Sequence, residues 1–204
     1  MIKKRSMLLG AAGVAFGLML AGCDLYKPEK SSFKGVDLTG AKYARELQLP
    51  DIEGRSRSLA DFKGKVVVVF FGFTQCPDVC PTTMAELAQV KKALGADGDK
   101  VQGVFVTVDP DRDTPELLKA YLGSFDASFV ALRGTPEQLK AAAQEFKVYF
   151  AKVPGKTPES YTMDHTAASF LFDTEGRIRV FSRYGSGAEA LTQDIRALLA
   201  EAKR

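Results

Sequence analysis

The chain has no asparagine, one histidine and three cysteines among its 204 residues. The missing asparagine removes the residue that orients the histidine of a Cys–His–Asn hydrolase. Internal repeats and low-complexity tracts are absent too, so the length points to one domain with a proper core. Excess charge disappears once the first 22 residues are set aside. The whole chain is +3, and that segment holds Lys3, Lys4 and Arg5 and no acidic group, so the remainder is neutral. Nothing in it argues for nucleic-acid binding.

What is present begins with a secretory pattern. Lys3 to Arg5 form a basic start, and Ser6 to Gly22 is uncharged and mostly apolar. It ends in Leu20-Ala21-Gly22-Cys23, small residues before a cleavage point. These four resemble the lipobox of bacterial lipoproteins, in which the cysteine becomes residue one and its sulfur carries diacylglycerol. The alternative is an uncleaved anchor, although 17 residues fall short of the roughly 20 that a spanning helix prefers. Either way the body is tethered outside the cytoplasm. Asp24 resembles the signal that keeps many lipoproteins on the inner membrane, facing the periplasm. The expected organisation is a signal peptide over 1–22, a lipid-anchored tether over 23–35, and one domain over 36–204. With Cys23 lipidated, Cys76 and Cys80 are the thiols that remain. In an oxidising compartment they tend to a disulfide unless protected or reduced.

Hydrophobic pattern and turn chemistry give the elements. Tyr43 to Ser58 reads as a short hairpin turning at Asp51 to Gly54. Val66 to Phe71 and Val101 to Val108 are apolar runs suited to strands buried on both faces. Thr83 to Leu94 has helical periodicity, with Thr83 and Glu86 placed for a capping box and Pro81 as an alternative first residue. Thr114-Pro115-Glu116 and Thr135-Pro136-Glu137 each open a helix, running to about Phe125 and Phe146. Phe129 to Leu132 is a short strand. Val148 to Met163, with Pro154, Gly155 and Pro158, reads as irregular. Ala167 to Asp173 and Arg177 to Arg183 form a hairpin through Thr174-Glu175-Gly176, and Ala188 to Ala202 is a last amphipathic helix. This order predicts an α/β fold: a thioredoxin-like mixed sheet flanked by helices, with an N-terminal β-hairpin extension and an insertion before the last hairpin.

Cys76 and Cys80 fall between a buried strand and a helix start, spaced CxxxC. Helix dipoles and free N–H groups favour anionic sulfur at such places. The extra residue over CxxC needs its own backbone path to reach disulfide geometry, while two thiolates on one metal can sit further apart. His165 precedes the Ala167 strand, and in this topology the loop before that strand faces the loop after the first central strand. Cys76, Cys80 and His165 are therefore expected to converge. Two Cys and one His are too few for a closed zinc site. They suit copper, thiolates selecting Cu(I) and imidazole also suiting Cu(II). Asp164, Met163 and Asp78 stand close in sequence as extra ligands or as groups that orient the ligands.

CPDVCP, then VDPDRDTPE from Val108 to Glu116, then YTMDHTAASFLFD from Tyr161 to Asp173 resemble the Sco/SenC family of membrane-tethered copper proteins. The resemblance runs over roughly Tyr43 to Leu199. It implies one copper ion on Cys76, Cys80 and His165, delivered to the CuA site of cytochrome c oxidase subunit II. The competing function is a thiol–disulfide oxidoreductase cycling Cys76 and Cys80, acting on the CuA cysteines or other periplasmic thiols. A thiol reductant, such as a periplasmic thioredoxin-like protein, is an expected partner. A thioredoxin-fold peroxidase is weaker, because Phe73 stands where such enzymes place Thr or Ser. The Asp109-Pro-Asp-Arg-Asp-Thr segment reads as a strand end and helix cap, with Arg112 paired to Asp109 or Asp113.

Overall fold

The computed structural model describes residues 32–157 and 160–203. The signal segment, Cys23 and the tether up to residue 31 lie outside the described residues. Two runs dominate the interior. VVVVFFG of β4 (Val66–Gly72) and VQGVFVT of β5 (Val101–Thr107) are buried at every position. A parallel pair with both faces covered needs such continuous hydrophobicity. Around them a six-stranded sheet runs in the order β1-β10-β9-β4-β5-β6. Its other strands are β1 (Val36–Asp37), β6 (Val130–Leu132), β9 (Ala168–Phe172) and β10 (Ile178–Arg183). β4, β5 and β6 are parallel, and β9, β10 and β1 pair antiparallel.

The helices are α1 (Val79–Ala93), α2 (Pro115–Gly123), α3 (Pro136–Phe146) and α4 (Gly187–Glu201). Successive residues of β4 serve opposite faces. Phe70 stacks on Phe105, which meets Tyr121 of α2, while Phe71 meets Phe146 of α3. α1 and α4 pack on each other. The small hairpin β2 (Gln48–Pro50) and β3 (Ser56–Ser58) is the expected N-terminal extension. Thr114 and Thr135 cap α2 and α3, each accepting the backbone N–H three residues on, with proline at the first position.

Two expectations are corrected. Residues 148–163 are not irregular. β7 (Phe150–Pro154) and β8 (Tyr161–His165) form an antiparallel hairpin. Pro154 and Pro158 masked the strand signal, but Pro154 sits at a strand end, where a missing N–H costs little. Helix α1 begins at Val79 rather than Thr83. Pro81 falls in the first turn, where its absent N–H has no helical partner to lose. Thr83 is then an interior residue whose hydroxyl donates to Val79 O at 2.7 Å, and no capping box forms with Glu86.

Candidate metal centre

Cys80 lies in the first turn of α1 and is 0% exposed. Cys76 lies four residues earlier, half-buried, in the loop that leaves β4. That loop is pinned from below. The Asp113 carboxylate, 0% exposed, accepts the Thr74 hydroxyl at 2.6 Å, the Thr74 N–H at 3.1 Å and the Thr107 hydroxyl at 2.6 Å. The N–H of Cys80 points at Cys76 Sγ, 3.4 Å away, so a free amide of the helix start serves the sulfur.

β4 and β9 are neighbours, with Phe70 opposite Ser169. The short segment from His165 to the start of β9 at Ala168 therefore arrives beside the end of β4. His165 Nε2 stands 3.5 Å from Cys80 Sγ, and Nδ1 lies 3.2 Å from Thr166 O. Nδ1 as the N–H donor leaves a bare lone pair on Nε2 facing the sulfurs. The ring is gripped edge-on by Phe70 and Phe73, with centroids at 5.9 and 5.8 Å and interplanar angles of 86° and 89°. Such aromatic pairs contribute about 0.5–1.5 kcal/mol each and fix the ring plane. The donor atoms of Cys76, Cys80 and His165 all lie within 4.8 Å of one another.

The charge state follows from burial. Loss of solvent pushes the Cys80 thiol up and the His165 imidazolium down. Without a metal the buried pair is thus a neutral thiol beside a neutral imidazole. A soft cation can replace the thiol proton and take the Nε2 lone pair without leaving buried charge uncompensated. Two sulfurs and one nitrogen fit Cu(I), which accepts few ligands, better than tetrahedral zinc.

Other predicted residues stand further off. On β8 the side chains alternate, so Tyr161, Met163 and His165 face inward and Thr162 and Asp164 are exposed. Met163 joins the core. Asp78 is exposed at the helix cap position, accepting from Thr82 and Tyr184 hydroxyls at 3.3 Å. Sequence reading missed Gly72. A Cβ there would lie 2.9 Å from Cys80 Sγ, 2.7 Å from Phe70 Cε1 and 2.9 Å from Phe105 Cε2. A glycine ending a run of valine and phenylalanine was the available signal of such close approach.

The SCO1/SenC family profile matches residues 36–200. The chain belongs to the SCO1/SenC family. ScoI of Bradyrhizobium japonicum, solved with copper bound, is 41% identical, with a TM-score of 0.68 over 76% of this chain and 98% of that one. A SCO1/SenC family lipoprotein from Bacillus anthracis is 28% identical, with a TM-score of 0.64 over 78% of this chain and 98% of that one. A SCO2-like protein of Rickettsia felis is 34% identical over 175 residues, 84% of this chain and 83% of the relative. Membership in SCO1/SenC accords with the thioredoxin-like sheet and with the Cys–Cys–His cluster.

Proposed function

We propose that the chain is a membrane-tethered copper chaperone that carries one copper ion on Cys76, Cys80 and His165 and hands it to the CuA site of cytochrome c oxidase subunit II. The observation that carries this reading is the convergence of two sulfurs and one ring nitrogen within 4.8 Å. The copper-bound state of the 41% identical relative supports the choice of metal. Transfer proceeds by stepwise ligand exchange. Only three protein donors hold the cargo, so an incoming thiolate can bind before any of them leaves. Cys76, the more accessible sulfur, and His165 are the donors an acceptor reaches first, whereas Cys80 is enclosed. Lipidation of Cys23 supplies the tether, on the periplasmic face of the inner membrane; that one relative is a lipoprotein supports the lipid anchor.

A second reading rests on the same pair being free thiols at close range. Cys76 and Cys80 would then reduce the CuA cysteines or other periplasmic disulfides. The two readings are linked, since an oxidised pair cannot bind Cu(I) and a thiol reductant must regenerate it.

The full chain in detergent, reduced without oxygen, is titrated with Cu(I) against a competing chelator. Wild type is expected to bind one ion, His165→Ala at least about tenfold more weakly, and Cys76→Ser more weakly still. Equal affinity in His165→Ala removes the three-donor site. A wild type that takes up no copper yet reduces a protein disulfide hands the function to the oxidoreductase reading.

A further inference from the structure

The three donors are not equally anchored. Cys76 and Cys80 belong to the β4–α1 junction, which the buried Asp113 carboxylate pins through Thr74, whereas His165 rides on the β7–β8 hairpin, and residues 152–155 of that hairpin are exposed. At its base the hairpin is joined to β9 and held by Thr166 N–H to Tyr149 O at 2.9 Å and Tyr149 N–H to Thr166 Oγ1 at 3.0 Å. At the other end of β8, four residues from His165, Tyr161 meets the loop between β5 and α2.

That meeting is specific. The Tyr161 hydroxyl donates to Asp109 Oδ1 at 2.8 Å. Arg112 Nη1 donates to Tyr161 O at 2.8 Å, its Nε bonds Asp109 Oδ2, and its guanidinium lies 3.7 Å from the Tyr161 ring centre. Lys152 of β7 lies 4.0 Å from the same ring and pairs with Asp111 at 3.3 Å. Asp109 is 2% exposed, and Arg112 and the Tyr161 hydroxyl are partners of its carboxylate. A helix cap needs none of this: Thr114 caps α2 by its own hydroxyl. Arg112 Nη2 is also buried without a hydrogen-bond partner, a cost that a purely structural pair would shed.

Resting on the copper reading above, we infer that Asp109, Arg112 and Tyr161 form a latch that positions His165. Closed, it presses the inward face of β8 onto the body and presents Nε2 to the two sulfurs. Open, the hairpin keeps only its base, His165 withdraws, and the metal is left on two thiolates. Arg112 and Tyr161 are positioning residues; neither is a ligand.

A double-mutant cycle tests this. Cu(I) affinity of the full chain is measured by chelator competition for Tyr161→Phe and Arg112→Met, each alone and combined with His165→Ala. Each single variant is expected to weaken binding by about tenfold, as for groups that orient a ligand. In the His165→Ala background both should fall within about twofold of His165→Ala itself, because a latch that acts through His165 has nothing left to position. Unchanged affinity in the single variants, or the same loss after His165 is gone, overturns the latch. Should Arg112→Met not fold, Tyr161→Phe, which removes one hydroxyl, decides by the same criteria. A silent His165→Ala sinks the ligand set and the latch together; a weakened His165→Ala beside silent latch variants sinks the latch alone.

Discussion

Cys80 holds its proton because it is buried, well above the ordinary thiol value of 9.0. A metal that takes its sulfur must release that proton. His165 is held neutral by burial and releases none. Copper affinity should therefore rise with pH between about 7 and 8, by about tenfold per unit for the Cys80 proton displaced. Chelator titrations across that range check it, and a flat profile would mean the Cys80 sulfur is already ionised. The sulfur's seat has an equally local cause. Gly72 leaves the space that Cys80 Sγ and the Phe70 and Phe105 rings fill. Gly72→Ala should cost about 1–3 kcal/mol of stability by overpacking and weaken copper binding by displacing Sγ. Urea unfolding and copper titration on the same variant measure both. A variant equally stable and equally tight would show that the pocket yields freely.

At the scale of elements, one buried carboxylate closes each of two hairpin turns, β2–β3 and β9–β10. Asp51, 6% exposed, receives the N–H groups of Glu53 and Arg55 and the side chains of Arg55 and Arg57. Asp173 does the same for the β9–β10 turn with the N–H groups of Glu175 and Arg177. Burial opposes ionisation of Asp51, but the Arg55 N–H, the Arg57 guanidinium and the other donors outweigh it and lower its pKa from 3.8 to about 2. The folded value lies below the unfolded one. Its contribution is thus complete above about pH 4 and is lost as pH falls towards 2. Wild type should lose stability across that window, and Asp51→Asn, less stable at neutral pH, should lose less of it. Denaturation curves at pH 7, 4 and 2.5 compare them. β7–β8 has no such carboxylate at its described turn residues. Its turn is closed by Ser160, whose carbonyl accepts the Gly155 N–H and whose hydroxyl accepts the Thr157 N–H, and Arg112 holds the neighbouring Tyr161.

For the molecule as a whole, the central architecture was legible because its signals are local. Two continuous apolar runs, two Thr-Pro-Glu helix starts and a Gly-containing turn fix β4, β5, α2, α3 and β9–β10. The convergence of Cys76, Cys80 and His165 was legible because topology alone brings the end of β4 beside the start of β9. What escaped depends on contacts between distant segments. β1 is two residues long and exists by pairing with β10. The Asp109–Arg112–Tyr161 junction joins residues 52 apart in sequence, and each end reads by itself as an ordinary cap or loop. Helix α1 began earlier than its periodicity because its Asp-Val-Cys-Pro start carries no apolar repeat.

The donors sit on stretches of chain 85 residues apart, Cys80 on one and His165 on the other. A metal bound by both is a cross-link, and it works as a staple does. Each gain in binding free energy is equally a gain in folding free energy, so cargo and conformation are counted in one equilibrium. A copy of the chain that loses its tertiary structure loses the complete donor set at the same moment and retains at most the two sulfurs of a local CxxxC. Holding copper on three donors is, for this fold, a certificate that the sheet between them is intact.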